Sequence, residues 1–154
     1  MNEQKHENVV TMTEEEAREQ GIELTPFYDE LPVSGGRTEV ETPGYAEHST
    51  GLYIPGVRAE AFLPVVGHSM EPYIFPGDIV GVRTIYGMES INPDATYLII
   101  TRGNERMIKH IVPTSQGDET LTLTSDNPAY PPFRILKTDI VKIMKVVYSG
   151  RTYK

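Results

Sequence analysis

Ser69 and Lys109 are two side chains, forty residues apart, that could together form a nucleophilic dyad. Ser69 lies in the segment VVGHSMEPYIFPGDIV (65–80), and Lys109 lies in RMIKHIV (106–112). A serine hydroxyl is a weak nucleophile until a neighbouring base removes its proton, and a neutral lysine amine can act as that base. The chemistry open to such a pair is acyl transfer, in which the serine oxygen attacks a carbonyl carbon.

The residues around Ser69 are typical of a tight turn. Gly67 precedes the serine, and Pro72 and the triplet Pro76-Gly77-Asp78 follow it; these residue types interrupt regular structure. Apolar runs at 61–66 and 79–84 flank the turn. The sequence therefore predicts that Ser69 projects from a turn between two strands, although an ordinary loop serine is the simpler interpretation of this residue alone.

Lys109 lies on a strand of a predicted β-hairpin. Residues 96–101 and 106–112 are rich in strand-forming side chains and flank a Gly-Asn pair. Because side chains alternate along a strand, Met107, Lys109 and Ile111 share one face. If that face is buried, the loss of water lowers the pKa of the Lys109 ammonium. The alternative is a lysine at the sheet margin, with a buried stem and a solvated head.

The two histidines next to these residues are not predicted to complete a catalytic triad. His110 should point away from Lys109, since neighbouring strand residues face opposite sides. His68 is interpreted as a solvated loop residue. The chain has no cysteine, and its histidines and acidic residues show no metal-ligand spacing. No metal or other cofactor is predicted.

Other residues near the pair are interpreted as structural. Met70 should pack beneath the serine turn, since methionine commonly fills gaps in apolar cores. Asp78 should close the turn through a backbone hydrogen bond. Asn127-Pro128 and Pro131-Pro132 predict a turn followed by an extended segment, with no chemical role.

Three motifs in this order resemble one known family. GHSMEPYIFPGDIV around Ser69, MIKHI around Lys109 and LTSDNPAYPPF (123–133) are similar to the motifs of the LexA-type self-cleaving serine peptidases. That family includes phage repressors and UmuD-like proteins and is related in fold to signal peptidases; the resemblance covers about residues 26–150. It implies that Ser69 is the nucleophile and Lys109 the general base. It also implies that the backbone amides of Ser69 and Met70 form the oxyanion site.

The resemblance also implies a cleavage site within the chain itself. Members of the family cut between a small residue and glycine, about 35 positions before the nucleophile. In this chain the segment PVSGGRTEV (32–40) occupies that place, and Ser34 lies 35 residues before Ser69. Ser34-Gly35 is the candidate scissile bond and Gly35-Gly36 the second. The family's usual residue before glycine is alanine or cysteine, so serine is a departure; a plain flexible turn is the alternative interpretation.

Composition and charge bound the remaining possibilities. A chain of 154 residues predicts one principal domain. The absence of cysteine, of a signal peptide and of a long apolar stretch predicts a cytoplasmic protein outside the membrane. Residues 1–30 carry nine acidic and two basic side chains. Such an acidic segment is too short for the helices of a DNA-binding domain, so we expect no direct contact with nucleic acid.

The predicted organisation has three parts. Residues 1–25 form a mobile acidic arm, in which a short helix begins at Thr13 with a Glu16 capping box and ends at Gly21. Residues 26–60 hold the cleavage segment and a linker, and residues 61–154 form the Ser-Lys peptidase domain. The fold should be mostly β, a compact set of bent antiparallel sheets with little helix. The predicted strands are 61–66, 79–84, 96–101, 106–112, 120–124 and 139–148.

The leading hypothesis is an intracellular self-cleaving peptidase domain of a regulator similar to LexA and the phage repressors. Its partner is then its own cleavage segment. The resemblance adds a homodimer, and a recombinase filament on single-stranded DNA as inducer. A different class of function also fits the sequence, namely a dimerisation and regulatory module of a transcription factor with a little-used or vestigial dyad. A peptidase that acts on other proteins is a third possibility.

Overall fold

The computed structural model describes residues 10–28, 51–115 and 117–151, which form mostly β-structure. One α-helix, α1, spans Glu14–Gln20, and two 3-10 turns span Met88–Ser90 and Lys137–Asp139. The predicted mostly β fold with little helix is confirmed. The strands are β1 (Val10–Met12), β2 (Thr25–Pro26), β3 (Gly51–Tyr53), β4 (Ala61–Pro64), β5 (Ile79–Thr84), β6 (Tyr97–Thr101), β7 (Arg106–Val112), β8 (Thr120–Thr124), β9 (Phe133–Leu136) and β10 (Ile140–Gly150).

Seven of the described strands form one antiparallel sheet in the order β4-β5-β10-β6-β7-β8-β9. Side chains of β6 alternate between two apolar clusters, with Leu98 facing one and Ile99 the other. Met144 and Ile143 of β10 divide between the same clusters. The middle of the sheet is therefore covered on both faces, which accounts for the long apolar run in the last strand.

The first apolar cluster forms the base beneath the serine turn. It combines residues of β4, β5, β6 and β10 with Met70 and Ile74, which come from the loop between β4 and β5. The second cluster lies beneath β7 and β8. Its buried members are Tyr97, Ile99, Ile111, Leu121, Leu123 and Ile143.

The smaller sheet has the order β1-β3-β2 and is also antiparallel. A third cluster containing Leu52, Ile54 and Phe62 joins it to β4, and Phe27 bridges Phe62 in parallel. Helix α1 has the predicted capping box between Thr13 and Glu16. Strands β1 and β2, on either side of this helix, thus pair with β3, and the mobility of the predicted arm stays a prediction.

The six predicted strands all occur, with ends shifted by no more than two residues. The first ends at Pro64, which lies on the edge strand of the larger sheet, where a missing N–H is tolerated. Strand β9 and the three short strands of the smaller sheet were not predicted. Most of β9 is exposed at the opposite edge, so it lacks the apolar alternation that identifies a strand. Within the described residues, no helix has the length and apolar character needed to cross a membrane.

Candidate active site

The Ser69 turn is held together by its own backbone. Glu71 donates an N–H to the carbonyl of His68 at 3.2 Å, and Ile74 donates one to the carbonyl of Met70 at 3.0 Å. Met70 is 2% exposed and packs into the first apolar cluster, as the sequence predicts. The turn is therefore anchored by a buried side chain immediately after Ser69.

Asp78 closes the same loop, as the sequence predicts, and its carboxylate also pairs with the guanidinium group of Arg151. Its Oδ2 accepts the Phe75 N–H at 2.8 Å. Arg151 donates from Nε to Oδ1 at 2.7 Å and from Nη2 to Oδ2 at 3.0 Å. Burial raises the pKa of the Asp78 carboxyl, but the Arg151 and Phe75 hydrogen bonds and the Arg151 charge outweigh burial and lower that pKa below its ordinary value. A buried carboxylate paired in this way fastens the end of β10 to the loop that carries Ser69.

Lys109 is buried on β7, with 7% of its surface exposed. It pairs with Tyr97 of β6, while Met107 and Ile111 on either side pack into the second cluster. Burial lowers the pKa of the Lys109 amine below its ordinary value. The prediction of an apolar face around this lysine is confirmed. Its Nζ lies 5.8 Å from the centroid of the Tyr130 ring.

Ser69 and Lys109 line the same cavity, which has a volume of about 370 Å³. Within the described residues no hydrogen bond joins the two side chains. Catalytic hydrogen bonds are often long before substrate binds, so a shared cavity is the relevant geometric condition. The other lining residues are mostly apolar: Tyr28, Leu63, Pro64, Val65, Val66, Gly67, His68, Met70, Val80, Leu98, Arg106, Met107, Ile108 and Tyr130.

The backbone N–H groups of Ser69 and Met70 donate no hydrogen bond to any residue that the structure describes. Both residues line the cavity. Unpaired donors beside a nucleophile can stabilise negative charge on a carbonyl oxygen that reacts there. The arrangement can therefore supply a nucleophile, a base and anion-binding donors in one place.

A second loop, after β8, contacts the site from outside the β4–β5 loop. Asn127 donates its backbone N–H to the carbonyl of Ser69 at 2.9 Å and its side-chain Nδ2 to the carbonyl of His68 at 3.0 Å. Tyr130 of this loop lines the cavity near Lys109. We predicted only a turn and an extended segment here, so these contacts were missed. The Asn-Pro-Ala-Tyr motif was the available signal, but it does not show what the asparagine side chain binds.

The two histidines lie where the sequence predicts. The His110 ring contacts the Ala95 carbonyl through Nδ1 at 2.7 Å and Asp126 Oδ1 through Nε2 at 2.8 Å. The His68 side chain is 64% exposed and contacts Glu71. Neither ring forms a hydrogen bond with Ser69 or Lys109. No group of three or more histidine or acidic side chains in the described ranges is arranged to hold a metal ion.

The predicted scissile bonds, Ser34-Gly35 and Gly35-Gly36, lie outside the described residues. The last described residue before them is Tyr28, which lines the cavity. Its backbone N–H binds the carbonyl of Phe62 on β4 at 3.0 Å. The chain that leads to Ser34 therefore leaves the described structure at the edge of the cavity.

Comparison with known families agrees with the resemblance of the motifs. The model of a family described as Peptidase S24-like matches residues 32–148. No curated protein matches the chain. The matched range contains both cavity-lining candidates, Ser69 and Lys109, and the candidate cleavage segment.

Proposed function

The chain belongs to the Peptidase S24-like family, a family of serine peptidases, and we propose that it cuts its own backbone near Ser34 with Ser69 and Lys109 as catalytic residues. The observation that carries this proposal is the shared cavity, where the serine lies on a turn and the lysine is a buried residue. Few structural roles require a buried lysine without a carboxylate partner, and none of the described acidic residues pairs with Lys109.

Lys109 is the general base in this proposal. Burial favours the neutral amine, which has the free electron pair that a base needs. The amine takes the proton from the Ser69 hydroxyl, and the oxygen then attacks the carbonyl carbon of Ser34. The Lys109 ammonium formed in this step returns its proton to the nitrogen of Gly35 as the peptide bond breaks. Water then hydrolyses the ester on Ser69, which leaves a carboxylate on Ser34 and restores the serine.

The N–H groups of Ser69 and Met70 are the proposed oxyanion donors. Their lack of partners among the described residues supports this role, because donors already satisfied by the fold could not bind the reacting oxygen. Loss of one donor of this type costs about a hundredfold or more in rate. The contribution is therefore comparable to that of general base catalysis.

The length of chain between Tyr28 and Ser34 is compatible with cleavage in cis. Tyr28 lines the cavity, and Ser34 follows six residues later. Six residues span at most about 20 Å when extended. A covalent link this short supports a reaction within one molecule, which needs no encounter between two chains.

The wider role that we propose is a regulator similar to LexA and the phage repressors. The three motifs support it, and by the same resemblance we propose a homodimer whose cleavage is induced by a recombinase filament. A regulatory module with an unused dyad is the competing proposal. The two differ in whether Ser69-dependent fragments form at all.

Cleavage is tested by incubating the purified chain from pH 7 to pH 10 and measuring intact masses. We expect two fragments, the first ending at Ser34, and none from Ser69→Ala or Lys109→Ala. Ser90→Ala and Lys142→Ala are matched controls outside the cavity and should cleave like the original chain. Fragments that persist in both dyad variants would exclude the mechanism. No fragments at any pH would favour the regulatory module.

A further inference from the structure

We propose that Asn127 is a positioning residue for the oxyanion donors, an inference that rests on the proposed function and assigns this asparagine a part in it. The proposal concerns the orientation of two peptide groups, those that join His68 to Ser69 and Ser69 to Met70. Asn127 itself would not touch the reacting atoms.

All four polar groups of Asn127 are occupied. Its backbone N–H donates to the Ser69 carbonyl at 2.9 Å, and its Nδ2 donates to the His68 carbonyl at 3.0 Å. Its Oδ1 accepts the Ala129 N–H at 3.0 Å, and its carbonyl accepts the Tyr130 N–H at 3.0 Å. Two donors thus hold the serine turn, while two acceptors fold the loop that presents them.

The two carbonyls that Asn127 binds belong to the same peptide groups as the proposed oxyanion donors. The His68 carbonyl shares a planar group with the Ser69 N–H, and the Ser69 carbonyl shares one with the Met70 N–H. Both peptide bonds are trans, since the cis bond found among the described residues is Glu71-Pro72. In a trans peptide the C=O and N–H point in opposite directions. Binding both carbonyls from one side therefore directs both N–H groups to the other side.

The side-chain amide is the part of Asn127 that other residues would not replace. Aspartate has the acceptor for Ala129 but no donor for the His68 carbonyl. Serine can accept the same N–H in a similar turn, but its shorter side chain does not reach His68. Asn127→Ser therefore keeps the fold of the loop and removes one of the two bonds that orient the serine turn.

The chain contains a natural control for this substitution. Asn92 also precedes proline, its Oδ1 accepts the Asp94 N–H at 2.9 Å, and its carbonyl accepts the Ala95 N–H at 3.0 Å. Its side-chain amide donates to none of the residues that the structure describes. Asn92→Ser therefore changes the same turn chemistry at a site without contact to the serine turn.

The first experiment compares cleavage by Asn127→Ser and Asn92→Ser with that of the unsubstituted chain over the full pH range. We expect the maximal rate of Asn127→Ser to fall about tenfold or more, since small displacements of catalytic groups are costly. The pH at half-maximal rate should not move, because the substitution changes no charge. The rate of Asn92→Ser should stay within twofold. Equal rates for the two variants would overturn the proposal, as would a shift of the pH profile alone.

The second experiment does not depend on activity. Amide hydrogen exchange should accelerate about tenfold or more at Glu71 and Ile74 in Asn127→Ser, because their acceptors are in the turn that Asn127 holds. Asn92→Ser should exchange normally there, and the two melting temperatures should agree. Unchanged exchange in Asn127→Ser would overturn the positioning role. Failure of the unsubstituted chain to cleave would instead count against the proposed function. Hydrogen exchange would in that case still test whether Asn127 holds the Ser69 turn in place.

Discussion

Lys109 combines two properties that ordinary lysines avoid. It is almost fully buried, and its amine lies over the face of the Tyr130 ring, with no carboxylate partner among the described residues. At 5.8 Å from the ring centroid, that contact lies at the outer limit of a cation–π interaction. The fold therefore holds an amine in an environment that disfavours its charge, which costs stability.

The loss of stability caused by burying the amine can be measured with Lys109→Met, which keeps a long side chain and removes the amine. We expect cleavage to stop and the free energy of unfolding at pH 7 to rise by about 1 kcal/mol, as for other substitutions that relieve a strained functional site. Urea unfolding of this variant and of Lys142→Met provides the comparison. A less stable Lys109→Met would contradict the view that burial of the amine is unfavourable.

The pH dependence of cleavage should follow the titration of Lys109. Only the neutral amine can accept the Ser69 proton, so the rate rises as pH increases through the amine's pKa. Because burial lowers this pKa, the rise should be centred below about 10.4, the value of an exposed lysine. The measurement is the first-order rate constant at closely spaced pH values. A rate that falls with increasing pH, or one with no pH dependence, would be inconsistent with a lysine base.

Asp78 should contribute stability that disappears in acid. Its pKa is lowered in the folded state, so the carboxylate stabilises the fold above the unfolded pKa of about 3.9, and this contribution is lost as pH falls. Asp78→Asn should lower the free energy of unfolding by about 2 kcal/mol at pH 7, the typical value of a hydrogen bond to a charged group. The deficit should shrink below about pH 4. Asp94→Asn, at an exposed carboxylate, is the control. An equal loss of unfolding free energy in Asp78→Asn and Asp94→Asn would contradict the stabilising role of the Asp78 carboxylate.

The loop between β4 and β5 is the element that presents Ser69, the proposed nucleophile. Val65 donates to the Asp78 carbonyl at 2.8 Å, and Gly77 donates to the Val65 carbonyl at 2.8 Å. These bonds close the loop at its base, while Met70 fills the core beneath it. Gly67 has a φ of +83°, a conformation that residues with a Cβ adopt at a cost. The loop is thus closed at its base by hydrogen bonds, and its path includes two glycines with positive φ, Gly67 and Gly77.

Gly67→Ala tests whether the backbone conformation at Gly67 affects cleavage, separately from its effect on the stability of the fold. No atom beyond the adjacent residues lies within 4 Å of the added methyl group, so the cost is that of the backbone conformation, about 1 kcal/mol. Gly117 has a φ of +92° and is equally free of contacts. We expect both alanine variants to lose similar stability in thermal unfolding, while cleavage slows only in Gly67→Ala. Equal cleavage rates in the two variants would show that the conformation at Gly67 does not control the reaction.

The contact between the two sheets places Tyr28, six residues before the proposed scissile bond at Ser34, at the cavity. Phe27 bridges Phe62 on the edge strand β4, and Tyr28 lines the cavity itself. The third apolar cluster holds this region against the larger sheet. The smaller sheet therefore acts as an anchor for the start of the segment that contains Ser34.

Cleavage in cis predicts kinetics that are independent of concentration. A tether of this length gives a local concentration in the millimolar range, far above that of the purified chain. We expect the first-order rate constant to stay constant over a hundredfold dilution. A Ser69→Ala chain mixed with an excess of the original chain should remain uncut. Loss of rate on dilution, or cutting of the added chain, would indicate a reaction between molecules.

Much of the site could be predicted from short stretches of sequence, because residues close together in the chain determine its turn and its strands. The alternation of Met107, Lys109 and Ile111 predicts that the lysine shares its face with two apolar residues, although a lysine at the sheet margin stays open as the alternative. The glycines and prolines around Ser69 predict its turn. The capping box of α1 and the six predicted strands of the larger sheet depend on similarly short patterns. In each case the determining residues lie within a few positions of one another, so their spacing carries the structural information.

The contacts between segments were decided only by the tertiary structure. Strand β9 is ordered by its pairing with β8 rather than by its own apolar pattern. Asn127 binds two carbonyls more than fifty residues away, and Arg151 binds Asp78 across an even longer separation. Side-chain amides and guanidinium groups can bind many partners, and their choice depends on which backbone groups the packed sheets leave within reach. Chemistry-bearing residue types are thus visible in the sequence, whereas the hydrogen bonds that orient them arise only when the sheets pack.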